Sequence, residues 1–312
     1  MKEDSLNKVA IIGAGLMGFG IGVDFARAGY DVALWNTSPT TSQQAMTRAR
    51  KAFDRMVEAE FITREEAEGA YAHLQPTTDM TEAARGADYV VESVLEQLPL
   101  KQDVFRRLDV ICPPPVILAT NTSGLSPTAI ATATTHPERV VVTHYFQPPH
   151  LIPLVEIVGG EKTSSQTIET AFQVLTRMRK KPVKLLKETP GFAGNAIQNG
   201  IGMMAIGLVE KGICTPEMVD TIITMGFGRR MRMTGYFDRM DLIGLDLVAD
   251  IVTAQGLTPP RLIAEHVERS ELGAKTGKGF YKWTPESAEA FNYRQEMELI
   301  RLLKQDYEKG IL

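Results

Sequence analysis

The stretch Lys8–Gly18, KVAIIGAGLMG, decides the architecture of this 312-residue chain. Lys8 to Ile12 is an apolar, β-rich run, three glycines follow at Gly13, Gly15 and Gly18, and a helical pattern then continues through Ala28 and Gly29. Strand, glycine turn and helix in that order turn a common GxGxxG match into a dinucleotide-binding fingerprint. Gly13 makes the tight turn, Gly15 lets the backbone approach a pyrophosphate, and Gly18 permits close helix packing. The helix N-terminus, entered through Leu16 and Met17, faces the negative charge. The competing reading is a glycine turn that serves structure alone.

Working outward, a second strand, Asp31 to Trp35, ends at Asn36-Thr37-Ser38-Pro39. A site for NAD usually places an acid here to hold the adenine-ribose hydroxyls and repel a 2′-phosphate. Asn36 can hydrogen-bond a hydroxyl but repels nothing, so the pattern leaves NAD and NADP both open. From about Thr41 to Tyr71 the spacing is helical, with a break at Phe61-Ile62-Thr63 and a new cap where Thr63 precedes Glu66 by three. Ala87 to Val94 reads as a buried strand, Leu100 to Ile111 as a helix, and Val116 to Ala119 as a strand. Just beyond lies the polar loop Thr120-Asn121-Thr122-Ser123-Gly124, at the sheet edge where ligands sit in open α/β folds.

Val140 to Val158, VVVTHYFQPPHLIPLVEIV, carries His144 at the end of one β-branched run and Glu156 on the next. A carboxylate that accepts from one ring nitrogen fixes the imidazole tautomer and leaves the other nitrogen to take or give a proton near neutral pH. The competing reading is a satisfied core histidine and a surface glutamate. His150, in the same loop, is the other histidine placed to meet a substrate. His73, His136 and His266 have neither metal spacing nor an acid beside them at a strand end.

Ser164 to Met178 is helical and Lys181 to Lys184 resumes a strand. From Ala193 onward only helical patterns follow, at about 193–211, 216–225, 241–253, 259–269 and 286–308. The expectation is therefore an α/β class chain: a Rossmann-like domain with a mostly parallel sheet over 1–188, then an all-helical domain over 189–312. A net charge of −4 argues against a nucleic-acid groove or an anionic membrane as partner, and no apolar run reaches the roughly 18 residues of a membrane span. Cys112 and Cys214 lack any CxxC spacing, which points away from a disulfide framework and a thiolate metal site and toward the cytoplasm. A small-molecule substrate is expected.

Six ordered segments, GAGLMG, ESVLEQLPLKQDVF, ATNTSGLS, HYFQPPHLIPLVEIV, ETPGFAGNAIQ and GAKTGKGFYKW, resemble the 3-hydroxyacyl-CoA dehydrogenases, including their lambda-crystallin and L-gulonate 3-dehydrogenase branch. The resemblance implies that His144 is the catalytic base with Glu156 its partner, that Ser123 contacts the substrate hydroxyl, and that Asn195 holds its carbonyl form. It implies cofactor contacts for Glu96, Lys101, Asn121, Ser123 and Lys275, and a helical domain that forms a homodimer. It also carries a non-catalytic possibility, a cofactor-binding structural or sensor protein.

Departures from the family pattern accompany the match. Gln147 stands where the family has asparagine at a nicotinamide contact, the helix after the second strand carries acids where acyl-CoA members show lysines, and Arg229, Arg230 and Arg232 fall in the segment that replaces GAxHPMGP. Arginine matches a carboxylate with two parallel hydrogen bonds. The expected reaction is hydride transfer between NAD(P) and a 3-hydroxy acid, with a free small carboxylate favoured over a 3-hydroxyacyl-CoA.

Overall fold

In the computed structural model, which describes residues 6–312, the run Lys8–Ile12 is strand β1 inside an eight-stranded sheet. Its side chains alternate between two cores, Val9 and Ile11 on one face and Ala10 and Ile12 on the other. A strand buried on both faces is what a parallel α/β sheet requires. The remaining strands are β2 (Asp31–Trp35), β3 (Leu74–Thr77), β4 (Tyr89–Glu92), β5 (Ile117–Thr120), β6 (Val140–Tyr145), β7 (Leu154–Gly159) and β8 (Lys181–Lys184). Their order is β3-β2-β1-β4-β5-β6-β7-β8, and every neighbouring pair is parallel except β6 with β7. The chain reverses its direction of travel across the sheet between β1 and β4, which opens a crevice beyond their C-terminal ends.

Helices α1 (Gly18–Arg27), α2 (Pro39–Glu58), α3 (Arg64–Ala72) and α7 (Ser165–Arg177) cover one face. The short α4 (Met80–Ala84), α5 (Leu98–Ile111) and α6 (Pro127–Ala131) cover the other. The helix pair after β2 and its capping box are as expected: Glu66 N donates to Thr63 Oγ1 at 3.1 Å and Thr63 N to Glu66 Oε2 at 2.8 Å. Strand β3 was not foreseen. It lies at the sheet edge, buries only Leu74 and contains Pro76, so it lacks the alternating apolar signal, and only an edge accommodates its proline.

The chain forms two compact units that divide at Ile201 and Gly202, inside α8 (Phe192–Glu210). The first turns of α8 belong to the sheet unit because Phe192, 1% exposed, packs into a cluster with Val142 and Val158. The second unit continues with α9 (Pro216–Thr221), a π-helical turn Ile222–Phe227, α10 (Gly228–Met231), α11 (Tyr236–Ile243), α12 (Leu245–Ala254), α13 (Arg261–Glu268) and α14 (Pro285–Glu308). The helix expected over 241–253 is two helices, broken by Gly244 at φ +102°. The segment GAKTGKGFYKW wraps the fully buried Asp241. That carboxylate accepts from Phe280 N at 3.0 Å, Tyr281 N at 2.9 Å and Trp283 Nε1 at 2.9 Å.

Candidate active site

The three glycines of the turn after β1 divide into two kinds. A Cβ on Gly13, at φ +102°, would stand 2.7 Å from Ser93 O, and one on Gly18 would stand 2.0 Å from Gly13 O. The fold itself demands both. A Cβ on Gly15 would meet nothing within 4 Å, so the fold leaves that face of the turn bare toward the crevice. A backbone kept open at a helix N-terminus fits a dinucleotide phosphate. At the end of β2, Asn36 is 8% exposed and its buried Nδ2 has no partner, a donor suited to a ribose hydroxyl.

The loop after β5 is held by an acid. Glu96 Oε1 accepts from Thr122 Oγ1 at 2.5 Å, Ser123 N at 2.8 Å and Gly124 N at 3.2 Å. Burial works to raise the Glu96 pKa, but the Thr122 hydrogen bond, the Lys101 charge and the Ser123 N–H together bring it below the ordinary value. Lys101 lies in α5 and is fully buried. Its Nζ donates to Glu92 Oε1 at 2.8 Å and Oε2 at 3.0 Å and stands 3.4 Å from Glu96 Oε2. It therefore sits behind the crevice wall, where the resemblance implied a cofactor contact. Glu92, which the sequence reading passed over, is the centre of this network: Thr120 Oγ1 and Val94 N also donate to it, each at 2.6 Å. Asn121 ties the ends of β5 and β6 together by accepting from Tyr145 N at 2.9 Å.

His144 and Glu156 meet because β6 and β7 pair antiparallel with those two residues directly opposite. His144 Nδ1 lies 2.8 Å from Glu156 Oε2, and both side chains are nearly buried. The carboxylate accepts, so Nδ1 carries the hydrogen and Nε2 is left to exchange a proton. The second carboxylate oxygen accepts from Gly194 N at 2.8 Å, which fixes Glu156 from the start of α8. Phe146 and Phe192 flank the imidazole with ring centroids at 4.7 and 5.4 Å. None of these three supports was foreseen; the small residue at 194 was the available signal, since a Cβ there would fall 2.4 Å from Phe146 Cζ.

A cavity of about 510 Å³ runs from Gly15, Leu16 and Met17 past Ser93 and Glu96 to His144, and Asn121, Ser123, Gln147, Asn195 and Gln198 also line it. Asn195 Nδ2 donates to Ser123 O at 3.3 Å, joining the two residues expected around the substrate oxygen. No lysine or arginine lines this cavity among the described residues. His150 does not reach it and packs instead against Phe19 of α1, with ring centroids 5.8 Å apart.

In the second unit, Lys275 Nζ pairs with Asp246 at 2.5 Å. Arg229 pairs with Asp306, and Arg232 stands 3.4 Å from Glu298, both acids being on α14. Two of the three arginines expected to await a substrate carboxylate are thus taken by carboxylates of their own unit. No acid pairs with Arg230 among the described residues, and its buried Nε lacks a partner.

A doubly wound sheet with a glycine turn at its crossover, and a histidine–carboxylate dyad on the same cavity, defines a dinucleotide-dependent oxidoreductase. The chain belongs to the 3-hydroxyacyl-CoA dehydrogenase family: the family's NAD binding domain matches residues 8–189 and its C-terminal domain residues 191–283. It is 31% identical to 5-formyl-3-hydroxy-2-methylpyridine 4-carboxylate 5-dehydrogenase of Mesorhizobium japonicum, over 95% of this chain and 96% of that one. It is 34% identical to 3-hydroxybutyryl-CoA dehydrogenase of Clostridioides difficile, over 88% of this chain and 99% of the relative. Among solved structures, one of a 5-formyl-3-hydroxy-2-methylpyridine 4-carboxylic acid 5-dehydrogenase, described as an NAD+ dependent dismutase, matches with a TM-score of 0.75 at 30% identity, covering 96% of this chain and 99% of its own. The protein is accordingly an NAD-dependent dehydrogenase acting on a hydroxyl group, and the non-catalytic alternative falls away.

Proposed function

We propose that this dehydrogenase interconverts a small, free 3-hydroxy acid and its 3-oxo form, with His144 as the acid–base group. The observation that carries the reading is the His144–Glu156 pair at 2.8 Å on the cavity that begins at Gly15. In oxidation His144 Nε2 takes the hydroxyl proton, and the carbinol hydrogen departs with its electron pair as hydride, leaving a carbonyl. Glu156 stabilises the imidazolium, and a positioned base of this kind contributes typically about 10²–10⁴-fold. Ser123 and Asn195 offer a hydroxyl and an amide to the oxygen as it changes between alcohol and carbonyl. Bound NAD supplies the hydride acceptor.

Two features favour the free acid over a CoA thioester. Two of the basic groups on the helix pair after β2 are spent internally, Arg50 on Glu68 at 2.6 Å and Arg64 on Asp54 at 2.5 Å, which leaves less positive surface for CoA phosphates. A relative that spans nearly the whole chain carries the name of a small pyridine carboxylate dehydrogenase. Arg230 is the arginine this reading retains for the carboxylate. We also infer self-association through helical faces of the second unit, where Met203, Met204 and Ile206 of α8 are more than half exposed. A reducing, cytoplasmic setting suits two free cysteines, one of which, Cys112, has its thiol pushed up to about 11 by burial.

The test is NAD reduction with a panel of free 3-hydroxy acids and their CoA thioesters. kcat/KM should favour a free acid; a clear preference for a thioester overturns the substrate assignment. His144→Gln should lower kcat at least about a hundredfold while the NAD Kd stays nearly unchanged. Near-normal turnover in that variant would sink the base.

A further inference from the structure

The connection between β6 and β7 carries Gln147 on the cavity wall, and one side chain outside that connection gathers its free carbonyls. Lys180, just before β8 and 6% exposed, directs Nζ to Pro149 O at 2.6 Å, to Ile152 O at 2.8 Å and to Asp24 Oδ2 at 2.6 Å. Two carbonyls take two of the ammonium hydrogens, and the Asp24 carboxylate beside them supplies the opposite charge. Asp24 is a fully buried residue of α1, and its other oxygen accepts from Arg27 Nη2 at 2.8 Å.

The connection also rests directly on α1, the helix that begins at the glycine turn. Gly20 is bare where they touch: a Cβ there would fall 2.7 Å from Pro149 Cγ and 2.8 Å from His150 Nδ1. Phe19 packs against the His150 ring one residue earlier. A buried ion pair adds little stability over apolar side chains of the same volume. What apolar side chains cannot do is donate to two loop carbonyls at once.

We propose that Lys180 is a positioning residue: it fastens the connection bearing Gln147, and with it the β6 end bearing His144, onto the dinucleotide helix. The separation between the cofactor turn and the base is then set by one ammonium group and one bare glycine. The inference rests on the reading of His144 as the base, and the experiment separates the two.

Three variants perturb the contact differently. Lys180→Met removes the donors and leaves Asp24 without its buried partner. Lys180→Met with Asp24→Asn removes that charge as well. Gly20→Ala drives the connection off the helix and touches no charge. In all three, kcat should fall about tenfold or more while the NAD Kd, from titration calorimetry without substrate, stays within about threefold. In the double variant the thermal midpoint should return toward that of the unaltered protein while kcat stays low.

Recovery of kcat together with the midpoint would mean that Lys180 acts through stability alone, and would overturn the proposal. So would unchanged turnover in Gly20→Ala, or a loss confined to NAD affinity. If these variants lose turnover while His144→Gln keeps it, the base assignment fails and the positioning role stands; the opposite pattern removes the positioning role alone.

Discussion

Lys101 and Lys180 are both buried beside a carboxylate, and each supports one wall of the same cavity, but they reach their loops by opposite routes. Lys101 touches the Ser123 loop only at second hand, through Glu96, whose oxygen collects the Ser123 and Gly124 N–H groups. Lys180 donates straight to the carbonyls of Pro149 and Ile152. The difference follows from which backbone groups each loop leaves open. The turn after a parallel strand presents N–H groups and calls for an acceptor, whereas the Pro-rich connection presents carbonyls and calls for a donor. Unpaired backbone groups inside a protein carry a free-energy penalty similar to a lost hydrogen bond, so each loop selects the sign of its anchor.

The largest effect that sharpens this contrast is on stability. Lys101→Met strands Glu92, whose side chain is 0% exposed and keeps only the Thr120 hydroxyl and the Val94 N–H. Breaking a buried pair from one side costs about 3–5 kcal/mol. Lys180→Met should cost less, because Asp24 retains Arg27. Urea denaturation of both variants measures the order, and an equal or reversed order would break the comparison.

A smaller effect distinguishes loop anchoring from cofactor contact at Glu96. Glu96→Gln keeps the shape but loses the charge that draws the Ser123 and Gly124 N–H groups and Lys101. kcat/KM for the hydroxy acid should fall about tenfold, the roughly 1.4 kcal/mol of a weakened charged hydrogen bond, with NAD affinity nearly constant. If NAD affinity carries the loss instead, Glu96 touches the cofactor directly and the indirect half of the comparison gives way.

The contrast also marks what the sequence allowed to be read. The glycine turn and the His144–Glu156 pair were legible because each depends on local order: a strand before glycines in one case, two facing strands twelve residues apart in the other. Lysines at 101 and 180 carry no local sign of burial, since a charged residue between apolar ones is ordinarily a solvated face. Their partners lie 9 and 156 positions away, at Glu92 and Asp24. The pairing of Arg229 was hidden for the same reason: its acid is Asp306, 77 residues on, where no periodicity links the two.

The smallest expected effect is a difference in how acid loosens the two loops. Burial, with help from Lys180, Arg27 and Arg55 and against the pull of Asp24, holds the His150 imidazole below its ordinary value of 6.5. In the unfolded chain that ring binds its proton near 6.5, so the unfolded state holds more protons between that value and the lower folded one. Stability therefore rises with pH across this window: the contribution is present above 6.5 and is lost as pH falls through the folded value. Glu96 has the same sign in a lower window. Its folded value lies below the ordinary 4.5, so its contribution is present above 4.5 and drains away beneath it. Acid should thus release the Lys180-held connection first and the Glu96-held loop second. His150→Phe keeps a ring against Phe19 and gives up no hydrogen bond, since the buried Nδ1 has no partner. That variant should flatten the dependence of the unfolding midpoint on pH just below 6.5, while Glu96→Gln should alter it only below 4.5. Midpoints measured from pH 8 down to about pH 3, as differences from the unaltered protein, isolate each group from the other histidines and acids. A His150→Phe curve parallel to that of the unaltered protein throughout would show that the two loops do not part company with pH. The same series in Lys180→Met adds a second reading, because removing a neighbouring positive charge should move the His150 window upward toward 6.5.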